Sequence, residues 1–150
     1  MASEDHALRA EADREPRTQF AALPWRRLDD RLEVLLITSR ETRRWVIPKG
    51  WPIKALKSAG TAAREAFEEA GVSGKIASKP IGAFGYDKRL RSGRIQRVRV
   101  AVFALCVTEE SDAWPEMAER EKRWVTPAEA SDLVLEPELK KLLAAFQPQP

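Results

Sequence analysis

Reactive side chains are scarce in this chain of 150 residues, which has one cysteine and one histidine. Cys106 lies in the apolar run VAVFALCV at 100–107, and this context predicts a buried, inert thiol rather than a nucleophile. His6 lies in a charged N-terminal stretch. The composition therefore excludes an intrachain disulfide and argues against Ser-His-Asp or Cys-His catalysis and against a histidine-rich zinc site.

Long hydrophobic runs are also missing. The longest apolar run has about eight residues, whereas a membrane helix needs about 20. The first residues, MASEDHALRAEADREPR, are charged throughout and contain no apolar signal segment. We therefore expect a soluble, cytoplasmic protein that does not bind membranes. The net charge of +3 favours no class of partner by itself.

What the chain does contain predicts one domain of mixed strands and helices. We expect a flexible tail over 1–16, a single domain over 17–146 and a frayed C-terminus over 147–150. Strands that alternate with helices and precede them are typical of an α/β or α+β sandwich. The predicted strands cover 18–25 with an interruption near Pro24, 32–38, 44–48, 74–87 with a break at Pro80, 93–108 and 122–127, and the predicted helices cover 58–70, 127–134 and 137–146.

Three glutamates crowd the first predicted helix, which Ser58 or a neighbour would cap and Gly71 would end. Glu65, Glu68 and Glu69 share one helix face, where their charges repel. A hard divalent cation such as Mg²⁺ would relieve that repulsion, although glutamates are also common on a solvated helix face. The reverse side would pack on a sheet through Phe67 and five alanines, Ala59, Ala62, Ala63, Ala66 and Ala70.

A basic hairpin follows the helix. Its cations have three interpretations, namely binding of a polyphosphate, protection of a sheet edge, and binding of RNA. The RNA interpretation is weak because few aromatic residues lie among the basic ones. The members of this cluster are Lys88, Arg89, Arg91, Arg94, Arg97 and Arg99.

The segment from 50 to 72 resembles the Nudix box, which reads G, five residues, E, seven residues, REU, one residue, EE, one residue, GU, with U aliphatic. Gly50, REA at 64–66, EE at 68–69 and GV at 71–72 all stand at the required spacing. Leu56 occupies the place of the first glutamate. Flanking features such as RWVIPKG and KRWVTPAEA extend the resemblance over residues 18–146.

This resemblance implies an α/β/α sandwich with a mixed sheet that hydrolyses a phosphoanhydride bond and uses Mg²⁺, with Mn²⁺ as the alternative. RWVIPKG and EEAGV are most similar to the diadenosine and diphosphoinositol polyphosphate phosphohydrolase branch, which implies a small-molecule polyphosphate substrate and disfavours a nucleic-acid partner without excluding one. Hydrolysis of nucleoside triphosphates or RNA 5′ ends and a non-catalytic nucleotide sensor remain alternatives. The chain would be a monomer or a homodimer.

The resemblance also assigns roles to residues. Glu65, Glu68, Glu69 and the carbonyl of Lys49 would bind metal. Glu65 and Glu68 would take part in catalysis, with Glu68 as general base. Arg64 would orient a glutamate. Leu56 cannot bind a cation, which leaves the number of metal ions open, and Glu119 is a candidate for a carboxylate from outside the box. The implied substrate-binding residues are Arg40, Lys88, Arg89, Arg91 and Arg120.

Overall fold

The computed structural model describes residues 15–149, so most of the predicted tail, residues 1–14, lies outside the described residues. Within that range the chain forms eight strands and three helices. None of these helices is long and apolar enough to span a membrane. The elements are β1 Arg17–Leu28, β2 Arg31–Thr38, β3 Trp45–Val46, β4 Lys49–Gly50, α1 Ser58–Ala70, β5 Val72–Ile76, β6 Gly82–Arg89, β7 Ile95–Glu110, β8 Lys122–Val125, α2 Pro127–Leu133 and α3 Pro137–Ala144.

All strands belong to one mixed sheet, as predicted. The main order is β3-β2-β1-β7-β5, with β4 also beside β1, β6 beside β7 and β8 beside β2. β1 and β7 run parallel from the Arg17–Val98 pair to the Trp25–Cys106 pair, and the other pairs are antiparallel. β4, which begins the box, pairs with β1 at Phe20 and Ala21.

Helices cover both faces of the sheet, which confirms the expected sandwich. On one face the small side chains of Ala62, Ala66 and Ala70 let α1 lie close to Leu35 and Phe103. On the other face α2 and α3 cover a larger cluster. Its buried members include Leu23, Phe84, Val100, Leu139 and Leu143. Each large apolar side chain buried there contributes about 1.5–3 kcal/mol.

β1 runs without a break through Pro24, so the predicted interruption is wrong. Ala22 donates its backbone N–H to the carbonyl of Pro48, and the next N–H on that side would belong to residue 24. The partner of β1 on this side changes there from β4 to β2, whose pairing starts at Trp25. Proline therefore occupies the position at which no ladder bond is required.

The ends of α1 agree only in part with expectation. Gly71 is the C-cap in the left-handed conformation, with φ of 69°, as predicted. Ser58 is the first helical residue and not a cap, because Lys57 holds the N-cap position without a side-chain hydrogen bond. Phe67 is 36% exposed and is therefore not the expected buried anchor. Cys106 is half-buried rather than buried.

Candidate active site

A cleft of about 590 Å³ opens beside β4 and α1. Its walls come from the segment between β2 and β3, from β4, α1 and β6, and from the segment that precedes β8. Seven of its lining residues are ones that the sequence singled out. They are Arg40, Lys49, Glu65, Glu69, Lys88, Arg89 and Arg120.

The two carboxyl groups from α1 form the acidic part of the cleft. Glu65 and Glu69 are one helical turn apart, and a hydrogen bond joins their side chains. The backbone N–H of Lys49 also donates to Oε1 of Glu69, at 3.4 Å. Burial, together with the hydrogen bond from Glu65, raises the pKa of Glu69 from 4.5 to about 9. Burial and the neighbouring carboxyl group therefore disfavour the charged form of Glu69.

The pKa of Glu65 is shifted in the same direction. Burial raises it, as do the negative charges of Glu68 and Glu116, whereas the hydrogen bond with Glu69 and the charge of Arg120 oppose the shift. Lys49 has the opposite shift, because burial and the nearby cations of Arg44 and Lys88 lower its pKa to about 8. Burial in the cleft thus disfavours the charged forms of both glutamates and of Lys49.

Gly50 allows β4 to approach α1 closely. A Cβ atom at this position would lie 2.5 Å from the carboxyl carbon of Glu65 and 2.7 Å from both of its oxygens. Any other residue would displace that carboxylate. The box glycine therefore forms a cradle in which the Glu65 side chain lies against the backbone of Lys49 and Gly50.

A further carboxylate enters the cleft from the segment between β7 and β8. The N–H of Glu116 donates to the carbonyl of Glu68 at 3.0 Å, which fixes this segment on α1. Arg120 binds Oε1 of Glu116 through Nε at 2.9 Å and Nη2 at 2.8 Å, and it donates to the carbonyl of Thr38. Its Nη2 atom is 3.8 Å from Glu69. Arg120 is thus occupied by protein groups, and its side chain is only 10% exposed.

The rim of the cleft carries exposed cations. Arg40 lies on one side, where its Nη1 atom is 3.5 Å from Glu119 and 3.9 Å from Glu116. Lys88 and Arg89 lie on the other side, at the end of β6. A multiply charged anion could bridge the two sides above the acidic pair, because arginine and lysine donors match phosphate oxygens.

The structure leaves several predicted residues outside the lining of this cleft. Glu68 is half-buried beside it, Arg64 is exposed on α1, and Arg91 is exposed in the turn between β6 and β7. Leu56 is 38% exposed, and it lies where a Cβ on Gly60 would contact it. The place of the missing box glutamate is therefore on the loop before α1, outside the cleft.

Sequence reasoning missed some lining residues. Glu119 was the candidate from outside the box, but Glu116 lines the cleft and Glu119 does not. The four-residue spacing between Glu116 and Arg120 was a usable signal, because it pairs a carboxylate with a guanidinium. Trp51 and Arg44 also line the cleft, and no sequence pattern distinguished them from core or surface residues.

The carboxylate oxygens in the cleft are of the kind that a hard cation prefers, if water and other groups supply its remaining ligands. In residues 15–149 no three histidine, cysteine or carboxylate side chains converge on one point. Glu65 and Glu69 nevertheless meet in a partly buried cleft with a backbone segment beside them. Mg²⁺ is held in this manner, by one or two carboxylates with water and substrate phosphates completing an octahedron.

Comparisons with known proteins agree with this geometry. The NUDIX domain family matches residues 17–146. Nudix hydrolase 12, mitochondrial, of Arabidopsis thaliana is 35% identical over 122 residues, which is 78% of this chain and 59% of that protein. Diphosphoinositol polyphosphate phosphohydrolase 2 of Rattus norvegicus is 34% identical over 115 residues, which is 75% of this chain and 60% of that protein. The chain therefore spans less than two thirds of these relatives.

Solved structures show the same fold at low sequence identity. A C. elegans Ap4A hydrolase binary complex superposes with a TM-score of 0.65 at 20% identity, covering 85% of this chain and 93% of that one. The NUDIX domain of Shewanella oneidensis NrtR, solved with ADP ribose, gives 0.62 at 16% identity, covering 89% and 88%. The family match over residues 17–146 establishes that the chain belongs to the NUDIX domain family.

Proposed function

We propose that this chain hydrolyses a phosphoanhydride bond in a polyphosphorylated small molecule, of the dinucleoside polyphosphate or diphosphoinositol polyphosphate type, with Mg²⁺ as cofactor and Mn²⁺ as the alternative. The observation that carries this proposal is the convergence of the Glu65 and Glu69 carboxyl groups in a cleft that is also lined by Arg40, Lys88 and Arg89. A cation and a phosphate chain together would satisfy both parts of the cleft.

Glu65, Glu69 and the carbonyl of Lys49 would hold the cation, and Glu116 lines the same cleft. A bound divalent cation would neutralise the carboxylates and polarise the phosphoanhydride for attack by water. Gly50 keeps Glu65 in place for this role, and Arg120 fixes the position of Glu116.

Glu68 is the proposed general base. Its carboxylate is close enough to Glu65 to raise the pKa of that residue, and its own backbone anchors the segment that carries Glu116. Glu68 would take a proton from the attacking water, while Arg64 on the exposed side of α1 would orient a glutamate. Positioning of the reactants supplies most of the rate gain in phosphoryl transfer.

The cations on the rim would hold the remaining phosphates. Arg40 on one side, and Lys88 and Arg89 on the other, line the cleft and would bind the two ends of a phosphate chain. Arg91 lies farther out in the turn and would contact only a longer chain. Arg120 has its donors engaged by Glu116 and Thr38, so we assign it to positioning within the cleft.

The test is phosphate release from a panel of dinucleoside polyphosphates, diphosphoinositol polyphosphates, nucleoside triphosphates and 5′-triphosphate RNA, with Mg²⁺ or with EDTA. We expect turnover of the first two classes in Mg²⁺ only. Glu68→Gln should reduce kcat at least about 100-fold, as loss of a general base does, whereas the matched change Glu119→Gln at the rim should not.

Other outcomes identify the alternatives. A higher kcat/KM on triphosphates or RNA would reassign the substrate, and binding of nucleotides without phosphate release would indicate a non-catalytic sensor. Normal kcat in Glu68→Gln together with a large loss in Glu116→Gln would transfer the role of base to Glu116.

A further inference from the structure

The start of α3 contacts the cleft wall from outside through a buried carboxylate. Glu136 is the N-cap residue of α3, but its side chain makes no capping hydrogen bond to the helix. Its Oε2 atom instead lies 3.0 Å from Nη2 of Arg44, which lines the cleft. Only 7% of Glu136 is exposed. Because a buried carboxylate needs a compensating partner, its contact with Arg44 is firmly held.

Arg44 closes the short loop that carries Arg40. The backbone N–H of Ser39 donates to the carbonyl of Arg44 at 2.8 Å, and the N–H of Arg44 donates to the hydroxyl of Ser39 at 3.2 Å. These bonds join the two ends of residues 39–44, which we call the Arg40 loop. A contact that fixes the side chain of Arg44 therefore fixes the base of this loop.

Other charged contacts of the Arg40 loop lie at the surface. Nη1 of Arg40 is 3.5 Å from Glu119, and Nη2 of Arg43 is 3.7 Å from Glu121. All four of these side chains are exposed, and water weakens ion pairs in such positions. The contact with the buried Glu136 is therefore the stronger anchor of the loop.

The first turn of α3 also contacts the other cationic side of the cleft. Oε1 of Glu138 accepts a hydrogen bond from the backbone N–H of Gly85 at 2.8 Å. Gly85 belongs to β6, which ends with Lys88 and Arg89. The buried side chain of Leu139 anchors α3 in the larger core cluster. One helix start thus contacts both of the segments that carry the rim cations.

We propose that Glu136 is a positioning residue of this active site, which holds the Arg40 loop through its contact with Arg44. The loop then stands at the separation from the end of β6 at which one phosphate chain contacts both sides of the cleft. This inference rests on the proposed function, because it takes the rim cations as phosphate ligands. Donors that are ordered before a ligand arrives lose less side-chain freedom on binding, so a residue that touches no ligand can raise affinity.

The experiment compares a short and a long phosphonate that are not hydrolysed, each titrated in Mg²⁺ by calorimetry. The short probe is methylenediphosphonate, and the long probe is the bis-methylene analogue of tripolyphosphate. Glu136→Gln should weaken binding of the long probe by about 3- to 10-fold, because a cation that has lost its anchor must be ordered on binding. Binding of the short probe should change less. The matched control, Glu109→Gln, removes the same charge from the exposed end of β7 and should leave both affinities unchanged.

The loss should depend on Arg40. Arg40→Ala should weaken binding of the long probe at least as much as Glu136→Gln does, and the double variant should be no weaker than Arg40→Ala alone. A residue that only stabilises the fold would not show this dependence. Arg44→Lys is a second route if Glu136→Gln does not fold, because it keeps the charge but loses the planar fork, and it should show the same preference for weakening the long probe.

Unchanged affinity for the long probe, an equal loss for both probes, or additive losses in the double variant would refute the positioning role. A gain in affinity would refute it as well, since Glu136 would then act only as a negative charge that opposes phosphate. If the wild-type chain binds both probes in Mg²⁺ and the variants give any of these results, the proposed function stands without this inference. A wild-type chain that binds neither probe would reject both.

Discussion

Replacement of Glu69 by glutamine should make the metal-free protein more stable. The side chain of Glu69 is buried, with 6% of the residue exposed, and its pKa is raised from 4.5 to about 9. Between these values the folded chain keeps a proton that the unfolded chain releases, so stability falls as pH rises. At pH 7 this effect amounts to about 3 kcal/mol relative to pH 4.5.

Glutamine has nearly the same shape and does not ionise, so Glu69→Gln removes this pH-dependent cost. We expect a gain of about 2 kcal/mol in the free energy of unfolding at pH 7 in EDTA, somewhat below the full value because the amide must replace the hydrogen bonds to Glu65 and Lys49. The same change should abolish stabilisation by Mg²⁺. For the wild-type chain that stabilisation is about 2.7 kcal/mol at a metal concentration 100 times Kd.

Urea unfolding at pH 5 and pH 8, in EDTA and in Mg²⁺, measures both effects. The matched control is Glu119→Gln, since that carboxylate is exposed and contacts Arg40 at the rim. Lower stability of Glu69→Gln in EDTA at pH 8 would refute the reasoning about the buried carboxyl. If Mg²⁺ raised the free energy of unfolding of this variant as much as that of the wild-type chain, Glu69 would not be a metal ligand.

Three further substitutions have clear expectations. Gly50→Ala should displace the carboxylate of Glu65 and lower Mg²⁺ affinity in calorimetry while circular dichroism stays unchanged; equal affinity would contradict the cradle. Gly71→Ala combines a positive φ of 69° with a clash against Trp114, so the free energy of unfolding should fall by more than about 1 kcal/mol, and a neutral result would contradict the packing. Arg89→Ala should raise KM with little change in kcat, and more for substrates with more phosphates; an effect on kcat alone would place this residue in the chemistry.

The box illustrates what spacing alone can predict. Residues one turn apart on a helix must share a face, so Glu65 and Glu69 could be paired from sequence. The left-handed cap at Gly71 could be predicted as well, because glycine adopts positive φ without a steric cost. The metal and substrate roles of these residues remain proposals.

Other features depended on contacts between segments distant in the sequence. Glu116 enters the cleft only because its backbone bonds to Glu68 and Arg120 holds its carboxylate. Glu119, three residues farther along the same segment, is exposed and contacts Arg40 at the rim. The continuity of β1 through Pro24 depended on which neighbouring strand ends at that point, and a proline by itself could not indicate this.

The sequence by itself determined the helix, its acidic face, its glycine end and the mixed character of the sheet, because these follow from periodicity and backbone preference within short segments. Only the tertiary structure decided which charges face the cleft, that Arg120 is bound by protein groups, and that Trp51 lines the cleft. Those outcomes depend on the pairing of β1 with both β4 and β7 and on the docking of the segment before β8 on α1. Such contacts join residues far apart in the chain, and no local pattern encodes them.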